Sequence, residues 1–138
     1  ELRDAIKQRL MGTDLGTMAI LVQSFGFKRG IPADADLMFD VRMLPNPHWV
    51  KELRLKNGLD AEVQAFLENQ PMTQELFQDI CQYLDNWLPR YREGNRSYMN
   101  IALGCTGGQH RSVYLAERLF QHYKGTLPDI NIKHRELH

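Results

Sequence analysis

Cys105, Arg111 and Ser112 have a spacing that suits the chemistry of a bound phosphate group. The turn between the cysteine and the arginine contains Gly107 and Gly108, and the residues after it have helical spacing. A glycine-containing turn that opens a helix points backbone N–H groups at one spot, which the helix dipole makes positive. Arg111 adds a planar cation that matches phosphate oxygens. The pattern therefore predicts an anion site, with phosphate as the favoured anion.

The same Cys-x5-Arg-Ser spacing occurs in the phosphate loop of cysteine-dependent phosphatases, where a thiolate attacks phosphorus. Gly104 stands where those enzymes usually have a histidine, and no loop offers an obvious acidic residue as general acid. A cradle that holds the anion without reacting needs only the glycines, Thr106 and Arg111. We therefore favour anion binding, and keep a cysteine-dependent phosphatase or sugar-phosphate enzyme as the alternative.

Three polar side chains of this turn have two or more possible roles. His110 could contact a phosphate, stack on a base or cap the helix. Thr106 and Ser112 offer hydroxyl groups to an anion, but each could serve as a backbone cap instead.

A second group of polar side chains follows an earlier predicted strand. Asp40 and Arg42 are two residues apart and therefore point to the same face of a sheet. They form either a structural ion pair or a site in which Asp40 binds sugar hydroxyls and Arg42 binds phosphate. His48 and Trp49 follow two prolines, and a proline-stiffened loop suits recognition. The alternative for Trp49 is packing in the core.

The elements that must position these residues alternate between strand and helix patterns. Strands are predicted at residues 17–25, 37–41, 99–103 and 130–137, and helices at 61–68, 72–91 and 112–123. This order predicts an α/β domain with a layered sheet and flanking helices, and a strand–anion loop–helix unit near its C-terminal end. In such domains ligands bind at the carboxyl ends of the strands.

The composition is that of one ordinary globular domain: of its 138 residues, 43% are hydrophobic and 25% are charged. Residues 1–16 are expected to be a linker or tail helix from a missing N-terminal domain, and residues 17–138 the functional domain. No apolar run is long enough to span a membrane. The two cysteines, Cys81 and Cys105, form no metal-ligand cluster, so we expect no metal and a reduced, cytoplasmic setting.

Positive and negative charges are separated along the chain, although the formal net charge is zero. Residues 60–89 contain six Asp and Glu residues and no Lys or Arg. All 17 Lys and Arg residues therefore lie outside this segment, together with the other 11 acidic residues. The pattern indicates either a dipolar molecule that holds a polyanion on its basic side, or two solvated faces without a partner.

Several segments, taken in order, closely resemble the C-terminal domain of the RapZ family of RNase adapter proteins. They are SFGFK at 24–28, DAD at 34–36, FDVR at 39–42, LPNPHW at 44–49, GLD at 58–60 and GCTGGQHRSVY at 104–114. The resemblance implies a bacterial RNA-binding domain that presents a small regulatory RNA to RNase E and senses glucosamine-6-phosphate. It further implies a homotetrameric full-length protein, whose separate N-terminal domain binds ATP or GTP. The domain itself is thus expected to be no enzyme and to hold no cofactor.

The resemblance also implies roles for individual residues. The sugar-phosphate set is Asp40, Arg42, His48, Thr106, Gly107, Gly108, His110, Arg111 and Ser112. The RNA-facing set is Lys28, Arg29, His110, Arg111, Lys133, His134 and Arg135. Gln109 replaces a residue that can be Lys in relatives, which removes one possible phosphate contact.

Overall fold

Four strands form a single parallel sheet in the computed structural model, which describes residues 18–137. The helix predicted for residues 1–16 lies outside the described residues. The strands are β1 (Ala19–Gly26), β2 (Leu37–Asp40), β3 (Tyr98–Cys105) and β4 (Ile130–His134), in the spatial order β2-β3-β1-β4. The central strands β1 and β3 pair along their whole length, from Ala19 opposite Tyr98 to Gly26 opposite Cys105. The prediction of an α/β fold is confirmed.

Three α-helices pack with the sheet: α1 (Ala61–Glu68), α2 (Pro71–Glu93) and α3 (Arg111–Tyr123). Helix α2 begins with a proline at its first position, where no backbone N–H is required, and Gly94 follows its end. Apolar side chains at helical spacing in α2 are buried in the core. Helix α3 lies across β1, β3 and β4, so its first turn stands directly over the end of β3.

The last strand is shorter than predicted. β4 ends at His134, whereas the sequence pattern predicted a strand up to residue 137. The chain turns after His134 because the carboxylate of Glu136 accepts a hydrogen bond from the N–H of Gly26 at 3.0 Å. Three short 3-10 turns occur between these elements: Phe27–Arg29, Pro47–Trp49 and Lys51–Leu53.

The parallel direction of all four strands brings their carboxyl ends to one edge of the sheet, which we call the carboxyl edge. The segments that follow β1, β2, β3 and β4 therefore start side by side, although they are far apart in sequence. Among residues 18–137, no helix has both the length and the apolar character that crossing a bilayer requires.

Candidate anion and nucleic-acid site

A cavity of about 530 Å³ opens at the carboxyl edge. Four of its lining residues are Lys or Arg. Among the described residues, no Asp or Glu lines the cavity. The lining consists of Lys28, Asn46, His48, Trp49, Arg54, Leu55, Lys56, Cys105, Thr106, Gly107, Gln109, His110 and Arg111. A concave surface with cations and no carboxylate favours an anionic ligand.

Three segments build the cavity wall, each starting at the end of a strand. Lys28 follows β1, residues 46–56 follow β2, and residues 105–111 run from the end of β3 into α3. The N–H of Lys28 donates to the carbonyl oxygen of Thr106 at 3.2 Å and so joins the first segment to the third. The N–H of Gly58 donates to the carbonyl oxygen of Gln109 at 2.8 Å and joins the second to the third.

The turn between β3 and α3 is held flat against the sheet by close backbone packing. Gly108 has a φ of +72°, and a Cβ there would lie 2.5 Å from Cγ of Glu136 and 2.6 Å from the nitrogen of Gly26. A side chain at this position is therefore excluded both by conformation and by space. Over residues 18–137, the N–H groups of residues 107–110 donate to no protein acceptor. Gly107, Gln109 and His110 line the cavity, so their N–H groups are the candidate donors for an anion at the start of α3.

Arg111 has both a structural role and unused capacity for a hydrogen bond. Its side chain is only 4% exposed. Nη1 donates to the carbonyl oxygens of Arg42 at 2.6 Å and Leu44 at 3.0 Å, which ties the segment after β2 to α3. The buried Nε has no acceptor among the described residues, although the side chain lines the cavity. A buried donor without a partner is uncommon, and it marks the Arg111 guanidinium as a candidate for interaction with an anion.

The Cys105 thiol lies at the floor of this cavity and is 2% exposed. Its Sγ shares a hydrogen bond with the hydroxyl of Ser112 at 3.1 Å and accepts one from the Ser112 N–H at 3.4 Å. Ser112 is fully buried and lies behind the thiol, so its hydroxyl serves the protein interior. No carboxylate lines the described cavity wall, where a phosphatase would need a proton donor for its leaving group.

The ring of His110 is buried and does not cap α3. Its Nε2–H donates instead to the carbonyl oxygen of Leu53 at 3.2 Å, which links the β3–α3 turn to the segment after β2. Burial lowers the pKa of His110, because the charged imidazolium is poorly solvated there. His110 therefore contributes to the cavity wall as a neutral ring.

Asp40 and Arg42 form a two-point ion pair, with Nη2 of Arg42 2.7 Å from Oδ2 of Asp40. The hydrogen bonds from Arg42 hold the pKa of Asp40 below its usual range. The Arg42 guanidinium also lies over the ring of Phe27, 3.9 Å from its centroid. Neither side chain lines the cavity. The ion pair adjoins the backbone carbonyl group of Arg42, whose oxygen accepts the hydrogen bond from Arg111.

The basic residues near the end of β4 differ in their exposure and in their bonds to other protein groups. Lys133 is exposed, and Arg29 is largely exposed, with its Nε 3.9 Å from Glu136. The Arg135 guanidinium donates to the Glu136 carboxylate and to the carbonyl oxygen of Gly30 at 2.7 Å. It therefore supports the loop after β1.

His134 belongs to a chain of hydrogen bonds that joins β1, β4 and α3. Its Nε2–H donates to the Glu117 carboxylate and its Nδ1 contacts the Ser24 hydroxyl, both at 2.7 Å. The order Ser–His–Glu matches that of a hydrolase triad, but Ser24 is fully buried and no substrate reaches it. The chain is therefore a structural cross-link.

Of the residues predicted for the site, the structure brings His48, Thr106, Gly107, His110, Arg111 and Lys28 to one cavity. The other predicted sugar-phosphate residues do not line the cavity but stabilise the segments that form its walls: Gly108, Ser112, Asp40 and Arg42. Three residues that line the cavity were not predicted: Arg54, Leu55 and Lys56. Glu136, which packs against Gly108, was not predicted either. A basic-apolar alternation at residues 53–56 was the available signal. Nothing local in the sequence marked Glu136, because its partner Gly26 is 110 residues away.

Comparison with known proteins identifies relatives of nearly the whole chain. A family model described as the RapZ C-terminal domain matches residues 18–138. A protein of Cellvibrio japonicus named "Nucleotide-binding protein" is 57% identical over 138 residues, which are 100% of this chain and 46% of that protein. One of the same name from Pseudomonas fluorescens strain SBW25 is 57% identical over 137 residues, 99% of this chain and 48% of that protein. The chain thus spans about half the length of the curated relatives it matches.

Proposed function

The chain belongs to the RapZ C-terminal domain family, and on this premise we propose that it is an RNA-binding adapter domain that also senses a sugar phosphate. In this proposal it binds a small regulatory RNA, presents the RNA to RNase E, and holds glucosamine-6-phosphate in the carboxyl-edge cavity. The observation that carries the proposal is the cavity lining, which contains Lys28, Arg54, Lys56 and Arg111 and no carboxylate from residues 18–137.

The phosphate of the sugar is assigned to the turn after β3. The N–H groups at the start of α3 and the Arg111 guanidinium, whose Nε has no acceptor among the described residues, are proposed as donors, and Lys28 supplies a flexible cation beside Gly107. Thr106 is exposed and offers a hydroxyl on the same wall. Charge-assisted hydrogen bonds of this kind are about twice as strong as neutral ones. The cavity volume of about 530 Å³ is within the range of small-molecule sites.

The sugar ring is assigned to the wall formed by the segment after β2. Asn46 and His48 line it with groups that can bond to hydroxyls. Asp40 and Arg42 act on the ligand indirectly in this arrangement, because they position the turn whose carbonyl oxygens hold Arg111. Their predicted direct contacts to sugar and phosphate stay predictions.

RNA is proposed to contact the rim of the same cavity through its backbone phosphates. Lys28, Arg54 and Lys56 form the centre of this surface, and the exposed Arg29 and Lys133 are kept as further proposed RNA contacts outside the cavity lining. A sugar phosphate and an RNA backbone present the same oxygens to the same donors. Each ligand should therefore weaken the other, and linkage makes the effect reciprocal.

The remaining features belong to the whole protein and are proposals for it. The relatives named nucleotide-binding proteins are about twice as long as this chain. We assign ATP or GTP binding to the part of the protein outside this chain, and we assign no cofactor and no catalysis to this domain. Assembly into a homotetramer and a cytoplasmic location follow from the family resemblance.

The test is a competition experiment with the 138-residue chain. RNA binding is measured by gel shift across a range of salt concentrations, with and without saturating glucosamine-6-phosphate. We expect sugar phosphate to release the RNA, and the Lys28→Ala and Arg54→Ala substitutions each to reduce the log–log salt slope by about 0.7–0.9. Lys124→Ala is the matched control, since Lys124 is exposed at the end of α3, away from the cavity lining. Equal RNA affinity at all sugar-phosphate concentrations would disprove the shared site.

A further inference from the structure

Two large apolar side chains stand exposed at the rim of the basic cavity. Trp49 is 76% exposed and Leu55 is 99% exposed, and both line the cavity. The core-packing alternative for Trp49 is therefore wrong. Single exposed apolar residues are common on protein surfaces. An indole in the same cavity as four cations is stronger evidence of a binding surface than an isolated exposed side chain. It provides a flat apolar surface beside the proposed phosphate site.

The backbone under Trp49 is unusually well supported for an exposed segment. The Asn46 side chain accepts a hydrogen bond from the N–H of His48 at 3.0 Å, and the Asn46 carbonyl accepts one from the N–H of Trp49 at 3.1 Å. Pro47 begins the 3-10 turn and is buried. The Nε of Arg54 donates to the carbonyl oxygen of His48 at 3.0 Å. The indole is therefore presented by a preorganised turn, which lowers the entropy cost of using it for binding.

The charge around the indole matches one class of ligand. Lys28, Arg54 and Lys56 line the same cavity, and Lys51 follows on the next turn. A nucleotide combines a flat aromatic base with a phosphate a few ångströms away. In a paired A-form helix the base faces are stacked on each other and unavailable, whereas an unpaired nucleotide exposes both faces.

We propose that Trp49 is a stacking platform for one unpaired nucleotide of the bound RNA, whose phosphate lies in the basic cavity. This inference rests on the proposed RNA-binding function and deepens it. The domain would thus distinguish RNA that carries a bulged or looped-out nucleotide from a continuous duplex. The preference would depend little on which base is unpaired, since every base has a π face.

The experiment compares three blunt RNA duplexes of the same sequence: fully paired, with one bulged adenosine, and with one bulged abasic nucleotide. We expect the parent chain to bind the bulged adenosine duplex about 5- to 150-fold more tightly than either of the others, the range that base–aromatic stacking gives. Trp49→Ala should remove this preference, so that the variant binds the bulged adenosine duplex no more tightly than the other two. Trp49→Phe should retain most of it, and Lys28→Ala should weaken binding to all three duplexes alike.

A second readout uses the indole itself. The chain has two tryptophans, so Trp87→Phe on α2, outside the cavity lining, leaves Trp49 as the single fluorophore. Its emission should be quenched by the bulged adenosine duplex and not by the abasic one.

The possible failures of this experiment are distinguishable. If the parent binds all three duplexes equally, or if Trp49→Ala weakens all three equally, the stacking inference is wrong while RNA binding stands. If the parent binds none of them, the proposed function fails, and the inference fails with it.

Discussion

Arg111 donates a hydrogen bond of 2.6 Å from Nη1 to the backbone carbonyl oxygen of Arg42, 69 residues earlier in the chain. The contact joins the first turn of α3 to the segment that follows β2. One arginine therefore holds two walls of the cavity together, while its Nε has no acceptor among residues 18–137. Fold stability and anion binding should accordingly depend on the same side chain.

Arg111→Lys tests this double role. A lysine has no planar fork, so it cannot serve both carbonyl oxygens and a ligand. We expect the free energy of unfolding to fall by about 2–3 kcal/mol, because buried acceptors lose their partners. Phosphate affinity should fall at least tenfold. Urea unfolding and calorimetric titration with phosphate measure the two effects. Arg54→Lys makes the same change at an exposed cavity residue and should alter stability by only about 0.5 kcal/mol. Equal stability losses in the two variants would contradict the structural role of Arg111.

Gly107 and Gly108 form a matched pair for testing the packing of the turn. Gly108→Ala should destabilise the protein by about 2 kcal/mol and weaken phosphate binding, because the new Cβ meets Glu136 and Gly26 at a positive φ. Gly107→Ala should be tolerated, because the nearest atom to its Cβ is in the flexible Lys28 side chain at 3.9 Å. Thermal melts and phosphate titration of both variants make the comparison. Two equally stable variants would show that the turn does not pack as described.

Glu136→Gln tests the buried carboxylate that accepts the hydrogen bond of the Gly26 N–H. Burial raises the pKa of this carboxyl, but the hydrogen bond from Gly26 and the Arg135 guanidinium more than offset that effect and hold the pKa of Glu136 below 4.5. The parent therefore gains stability from ionised Glu136 above pH 4.5, and loses it as the pH falls through the lowered pKa. The variant should lack this acid-dependent loss. Acid titration followed by circular dichroism measures the effect; superimposed curves for parent and variant would refute it.

His110 should make folding sensitive to mild acid. Burial keeps its pKa below 6.5 in the folded protein. Above pH 6.5 both the folded and unfolded states hold it neutral, so its environment costs nothing there. As the pH falls below 6.5 the unfolded state takes up a proton that the folded state resists, and stability declines by up to about 1.4 kcal/mol per pH unit. His110→Asn should flatten this part of the stability curve in urea unfolding between pH 5 and 7.5. A parallel decline in parent and variant would assign the effect to other groups.

Cys105→Ser distinguishes binding from covalent chemistry. The parent should hydrolyse no chromogenic phosphate ester between pH 5 and 8, and the serine variant should bind phosphate within about threefold of the parent, because the change keeps a small polar atom beside Ser112. Turnover by the parent that disappears in the variant would instead favour the cysteine-dependent phosphatase.

The sequence by itself was sufficient for the class of fold and for the position of the glycine turn between β3 and α3. Both depend on local patterns: alternation of strand and helix signals, and a glycine turn between an apolar strand and an amphipathic helix. The family resemblance was likewise carried by short segments. Helix α1 was predicted with its observed bounds, Ala61–Glu68, because a helix period and its ends are encoded within a few neighbouring residues.

Only the tertiary structure decided which side chains share the cavity. The parallel sheet brings the segments after β1, β2 and β3 together, so Lys28, Arg54 and Arg111 line one cavity although they lie in three segments far apart in the chain. The same folding turned Asp40 and Arg42 towards each other, buried Ser112 and recruited Glu136 to the turn. The physical reason is that burial and charge pairing depend on contacts between residues far apart in the chain, which a local sequence pattern does not contain.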